Sequence, residues 1–290
     1  MSARPEALAS AASRRVAQVV RGQPTQDGAG VKLTRVIGQR ALDSLDPFLL
    51  LDEFRSDHAG DYIAGFPEHP HRGFETVTYM LAGHMRHRDN KGNQGDLGPG
   101  SVQWMTAGRG IVHSEMPQQE NGLLWGFQLW VNLPAADKMT APRYQDIPAD
   151  AIPEVSPADG VTVRVIAGAL EGVDGPVRAV ATDPRYYDIR LAPGTHWRVP
   201  LPAGHAAFAY VYDGAASVDG ESSTTLARGD LGVLDGDGDA ALAADPAHGA
   251  RLLVVAGQPL REPVARYGPF VMNTREQILE AARDFEAGRF

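Results

Sequence analysis

Short runs rich in β-branched and aromatic residues recur along this chain, each closed by glycine or proline. "FETVTYML", "SVQWMTA" and "LLWGFQLWVNL" lie in the first half. "VTVRVIAG", "YYDIRLA", "AAFAYVYDG" and "RLLVVAG" follow in the second. Turn signals such as "DLGPGS" and "RLAPGTH" separate them. Many short strands with regularly spaced turns predict an all-β sandwich or barrel.

The segment Asn132 to Gly160 is rich in proline, alanine and aspartate and divides two strand-rich halves. It predicts an N-terminal unit over residues 1–134, a linker over 135–160 and a C-terminal unit over 161–290. The halves share a strand rhythm, as a duplication would leave. The last stretch reads as a helix. Thr274 and Gln277 have capping-box spacing, and Ile278, Ala282 and Phe285 form one apolar stripe, a packing face.

A chain of 290 residues can bury a sizeable core, and 43% hydrophobic with 22% charged residues is ordinary globular composition. The formal net charge of -9 gives nucleic-acid binding no electrostatic support. There is no cysteine, which removes disulfides, thiolate metal sites and cysteine nucleophiles. The N-terminal "MSARPEALASAASRRVAQVVRG" lacks a signal-peptide core and reads as a frayed extension before the first strand. No apolar run is long enough to span a membrane. The expectation is a cytoplasmic monomer, with no membrane and no direct nucleic-acid partner.

The chemistry gathers at "FPEHPHRGFETVTYM" and "AGRGIVHSEM". A strand sends residues i and i+2 to one side, so His69 and His71 converge if the segment is extended. Pro70 favours that conformation for the residue before it. His113 and Glu115 repeat the spacing with an imidazole and a carboxylate. If the two segments face each other across a barrel interior, three imidazoles and one carboxylate surround a point. Nitrogen and oxygen ligands without sulfur suit Fe(II), Ni, Cu(II), Mn, Co or Zn, and four ligands leave octahedral positions open.

These stretches resemble the pirin family of the cupin superfamily. The resemblance rests on "FPEHPHRGFETVTYML", "GDLGPGSVQWMTAGRGIVHSE", "GFQLWVNLP" and "YGPFVMNTREQI". It implies two cupin-type β-barrels packed face to face (a bicupin) with a C-terminal helix and the metal in the N-terminal barrel. It carries the metal ligands onto His69, His71, His113 and Glu115, with iron the usual metal. Glu75 matches a carboxylate that binds metal in many other cupins, though not in pirins, and is expected near the site. The second half offers His196, His205 and His248 without a paired spacing, so a second metal site is not expected there.

Other signals are bland. "DGDGDA" from Asp235 fails as a calcium loop, with Ala240 where glycine belongs and Pro246 where glutamate belongs. His84 and His87 fit a strand end and turn without metal. Gln128 alternates with Trp130 on a strand and could line a pocket. Trp104 and Met105 fit the core or the cavity wall.

Two functions follow from the resemblance. One is a quercetin 2,3-dioxygenase, a metal-dependent enzyme that opens a flavonol with O2 and releases carbon monoxide. Glu115 would then be catalytic, taking the proton of the flavonol 3-hydroxyl. The other is an iron-binding, redox-sensing regulator that binds a transcription factor or metabolic enzyme.

Overall fold

The computed structural model describes residues 13–219 and 223–290. In chain order the first strands are β1 (Arg15–Arg21), β2 (Gln23–Asp27), β3 (Val31–Ile37), β4 (Phe48–Ser56), β5 (Phe66–His71) and β6 (Phe74–Ala82). β7 (Met85–Asp89), β8 (Gln94–Leu97), β9 (Val102–Thr106), β10 (Ile111–Pro117), β11 (Leu124–Asn132) and β12 (Arg143–Ile147) follow. One sheet runs β12-β9-β6-β11-β4-β3-β2, and a second runs β5-β10-β7-β8. Together they form the N-terminal barrel.

β6 shows why the sequence builds two layers around this barrel. Its residues are buried on both faces up to Met80. Phe74, Thr76 and Thr78 alternate toward the barrel interior, where Thr78 reaches Glu115 of β10. Glu75, Val77 and Tyr79 turn the other way. Val77 and Tyr79 join a core shared with Phe127, Tyr186, Phe208 and Tyr210. The largest apolar cluster therefore lies between the barrels, and it explains why β6 reads as a near-continuous apolar and threonine run. Polar clasps cross the same interface. The Tyr79 hydroxyl donates to Asp188 at 2.6 Å and accepts from Arg164 at 3.0 Å.

The second barrel is built on Val161–Ala167, Arg185–Leu191, Ala206–Asp219, Asp230–Asp235 and Ala250–Gly257. Its interior is filled by aliphatic side chains such as Val163, Ile189, Val211 and Leu252. His196 and His248 are exposed and His205 is half-buried. The turn after Asp235 is exposed at Asp235, Gly236 and Asp237.

The chain crosses the expected division at 1–134, 135–160 and 161–290. β1 pairs with Asp230–Asp235 of the second barrel, so part of the expected N-terminal extension is a strand; residues 1–12 of that extension lie outside the described residues. β12 falls within the expected linker but pairs with β9 in the N-terminal sheet. The C-terminal residues return to the first barrel as a strap. The hairpin Ala265–Tyr267 with Phe270–Met272 leads into α1 (Arg275–Glu286). Phe270, Ile278, Ala281 and Phe290 bury against Val112 of β10. The capping box at Thr274 and Gln277 is present. The apolar stripe packs as expected through Ile278 and half-buried Ala282, with Ala281 added and Phe285 exposed beside Phe270 and Phe290. Among the described residues no helix is long and apolar enough to cross a membrane.

The strap is fastened at residues 72 and 73. The Arg72 carbonyl accepts from Val271 N at 3.0 Å, and its guanidinium pairs with Asp284 at 2.8 Å. Gly73 has φ +88, and a Cβ there would stand 2.0 Å from the Val271 carbonyl oxygen. Only glycine lets the strap pass this close. Buried Lys138 spends its three donors on Gly73 O, Asn132 Oδ1 and Val271 O, at 2.8, 2.6 and 3.0 Å.

Candidate metal centre

The two histidine segments do not face each other across the barrel. β5 and β10 are hydrogen-bonded neighbours in one sheet, with His69 directly opposite His113 and His71 opposite Ile111. The i, i+2 spacing on each strand still sets the direction of the side chains. Direct cross-strand partners bring their side chains within contact distance, so the pairs converge from adjacent strands. A register shift between His113 and Glu115 takes up one extra residue on β5.

His69 Nε2 and His71 Nε2 are 3.1 Å apart, and the His69 and His113 ring centroids are 4.3 Å apart. One nitrogen from each of His69, His71 and His113 falls within a 4.8 Å group. Nitrogens ~2.1 Å from one metal at a right angle would be ~3.0 Å apart. His113 Nε2 is buried with no hydrogen-bond partner, which a metal would supply. The donor set therefore fits a divalent transition metal.

Burial pushes the His71 imidazole well below its usual range, with His69 adding to the effect. His113 is lowered likewise by burial and then by His71, His69 and His87. Both rings are thus neutral near pH 7, with lone pairs free to ligate.

Glu115 is buried beside the three rings but lies outside the convergent group. Its Oε1 accepts from Thr78 Oγ1 at 2.8 Å, and Thr78 Oγ1 is also 2.7 Å from Gln128 Oε1. One hydroxyl proton cannot serve both oxygens. Turning the Gln128 amide resolves this: its NH2 donates to Thr78, and Thr78 donates to Glu115. Gln128 and Glu115 both line the cavity. Glu75 does not. It points to the opposite face of β6, where its Oε1 accepts from Thr106 at 2.6 Å. Strand alternation, counted from Thr78, places it there.

His87 is not the turn residue that its neighbourhood suggests. It is buried on β7, opposite Glu115 in register, with Nδ1 3.2 Å from His113 Nδ1. The alternation in "MRHRD" carries the signal: Met85 and His87 are buried between half-buried Arg86 and exposed Arg88. His84, in the turn, is exposed.

His69 and His71 line a cavity of about 640 Å3. Phe54, Phe66 and Trp130 supply flat apolar walls, and Trp130 stands 5.2 Å from the His71 ring. The strap adds Arg266, Gly268 and Pro269, so the far end of the chain completes a site in the first barrel. Trp104 and Met105 are buried away from it, Trp104 in the core between the barrels.

Residues 30–131 match the family profile described as Pirin, and residues 186–290 match that of the Pirin C-terminal cupin domain. A pirin-like protein of Caulobacter vibrioides is 51% identical over 278 residues, covering 96% of this chain and 99% of the relative. Human pirin is 42% identical over 276 residues, covering 94% and 92%. The crystal structure of a quercetin 2,3-dioxygenase from Acinetobacter baumannii superposes with a TM-score of 0.87 at 34% identity, covering 96% of this chain and 99% of that one.

Proposed function

This chain belongs to the pirin family of cupins, and on that premise we propose that its N-terminal barrel is a metal-dependent flavonol 2,3-dioxygenase site, acting on quercetin or a similar planar substrate with O2. The observation that carries the reading is a cluster of three histidines, two of them buried, that opens through His69 and His71 onto an aromatic-walled cavity of about 640 Å3. Such a volume lies in the range of small-molecule sites.

His69, His71 and His113 would hold the metal, Fe(II) first and Ni, Cu, Mn, Co or Zn as alternatives. Bound there, such an ion would supply Lewis acidity to a flavonol oxygen and a site for O2. The protein's own groups do the rest. Glu115 is placed to take the proton of the flavonol 3-hydroxyl, as a general base within the cavity must. Thr78, backed by Gln128, holds the carboxylate in place through Oε1 and leaves Oε2 for the substrate. Phe54, Phe66 and Trp130 would clamp the flat rings and keep water away.

The test is oxygen uptake and carbon monoxide release with quercetin, on protein reconstituted anaerobically with Fe(II). Turnover that requires the metal and Glu115 supports the enzyme. A fully loaded protein that consumes no oxygen supports the iron-sensing regulator instead. One observation favours that second reading: Tyr267 is 72% exposed on the strap whose neighbours Arg266 and Gly268 wall the cavity. A change at the site could reach a partner's surface through it.

A further inference from the structure

Two arginines line the cavity, and they meet different surroundings. Arg35 donates Nε to Asp52 Oδ1 at 2.9 Å and Nη2 to Asp52 Oδ2 at 2.7 Å. The same Nη2 lies 2.8 Å from Asp27 Oδ2. Two carboxylates thus neutralise Arg35. Arg266 arrives on the strap from the other end of the chain. Its Nη1 donates to the Leu49 carbonyl at 3.2 Å, and its guanidinium lies 5.0 Å from the centre of the Trp130 ring. Among the described residues no carboxylate lies within ion-pair distance of it. A guanidinium carries five donors in a planar fork, so Arg266 keeps most of its donors unspent at the cavity wall.

We propose that Arg266 is a specificity-determining residue that binds a carboxylate on an aromatic substrate, at the strap end of the cavity. Three features select that class of ligand. The fork of a guanidinium matches a carboxylate in two parallel hydrogen bonds. Trp130 stands within 5.2 Å of the His71 ring and 5.0 Å of the Arg266 guanidinium, so a flat ligand beside the indole has both the histidine centre and the guanidinium close by. Asp27, Asp52 and Glu68 also border the cavity and would repel a dianion such as phosphate more strongly than a monoanion. Arg266 stands exposed at the edge of the cavity, so an incoming carboxylate can approach its fork from solvent. The proposal rests on reading this cavity as the substrate site, but it does not depend on the reaction performed there.

The experiment is therefore a binding one. Naphthalene-2-carboxylate and the neutral 2-naphthalenemethanol are titrated into the protein as purified, following tryptophan fluorescence. The wild type is expected to bind the acid about fivefold tighter, the upper range for an ion pair at an exposed site. Added salt should shrink the difference. Arg266→Gln, which can still donate toward Leu49, should erase it, and Arg266→Lys should retain part of it. Thermal melts of both variants show whether the strap stays docked, and the lysine variant carries the test if the glutamine one does not. Equal affinity of the two ligands for the wild type overturns the proposal. So does an acid preference that survives Arg266→Gln, since the metal centre would then be its source. Neither result bears on whether quercetin is turned over.

Discussion

Nδ1 of His87 stands 3.2 Å from Nδ1 of His113, and both rings are buried. The contact lets His113 carry its proton on Nδ1, and a metal ion on Nε2 would select that tautomer. With Nδ1–H donated to His87, Nε2 presents a lone pair to the centre. A ligating histidine depends on such a partner for orientation and basicity. His87→Leu should therefore weaken metal binding by about 10- to 100-fold. His87→Asn, which keeps an acceptor in nearly the same place, should lose far less. Competition against a chelator measures both, and equal losses would reduce His87 to a filler of space.

His69 and Glu115 should separate binding from catalysis. His69→Ala removes one of three convergent nitrogens and should abolish stoichiometric metal content, read by elemental analysis. Glu115 sits beside that group, held by Thr78. Glu115→Gln should keep the metal yet lower quercetin-dependent oxygen uptake by about 100-fold or more, the usual contribution of a general base. Metal loss in Glu115→Gln would instead make the carboxylate a required ligand.

The parts of this molecule that were legible in the sequence share a local cause. His69, His71, His113 and Glu115 are readable because i, i+2 spacing fixes side-chain direction within one strand. The helix at Thr274 is readable because its cap is local. What failed depends on distant pairing. The register of β5 against β10 makes the two histidine pairs neighbours, and no local pattern announces it. Glu75 is misplaced if judged by its distance from His71 along the chain, because the turn at Gly73 resets the alternation before β6. The strap is illegible for the same reason. Arg266 reaches the cavity through contacts between residues almost two hundred positions apart, such as Arg72 with Val271.

Acid should weaken the metal-free protein, and the sign follows from the buried histidines. His71 and His113 are both held well below their usual value of 6.5. Above about pH 6.5 the folded and unfolded chains both carry them neutral, and stability is indifferent to their titration. Below it the unfolded chain takes up protons that the folded one refuses, so stability falls with pH by up to ~1.4 kcal/mol per unit for each group. Urea midpoints of chelated protein at pH 7 and pH 5 should show that loss, and His71→Gln should reduce it. A midpoint that does not move between these pH values would mean that protonated rings are accommodated inside the barrel.

Gly73 tests whether the strap belongs to the site or merely lies over it. Alanine there must take a left-handed backbone and place Cβ against the Val271 carbonyl, with Arg72, Lys138 and the hairpin all converging on the same few atoms. Strain of that kind costs about 1–3 kcal/mol before any clash is counted. The chain can relieve it by lifting the strap, which would leave the Lys138 ammonium short of the Val271 carbonyl, one of its three acceptors. Gly73→Ala should therefore lower the melting temperature and speed proteolysis after residue 258 more than elsewhere. If the strap completes the cavity, quercetin affinity should fall in parallel, while the three histidines, all on β5 and β10, should still bind metal. Metal and ligand lost together would mean that the strap supports the β5–β10 pair itself.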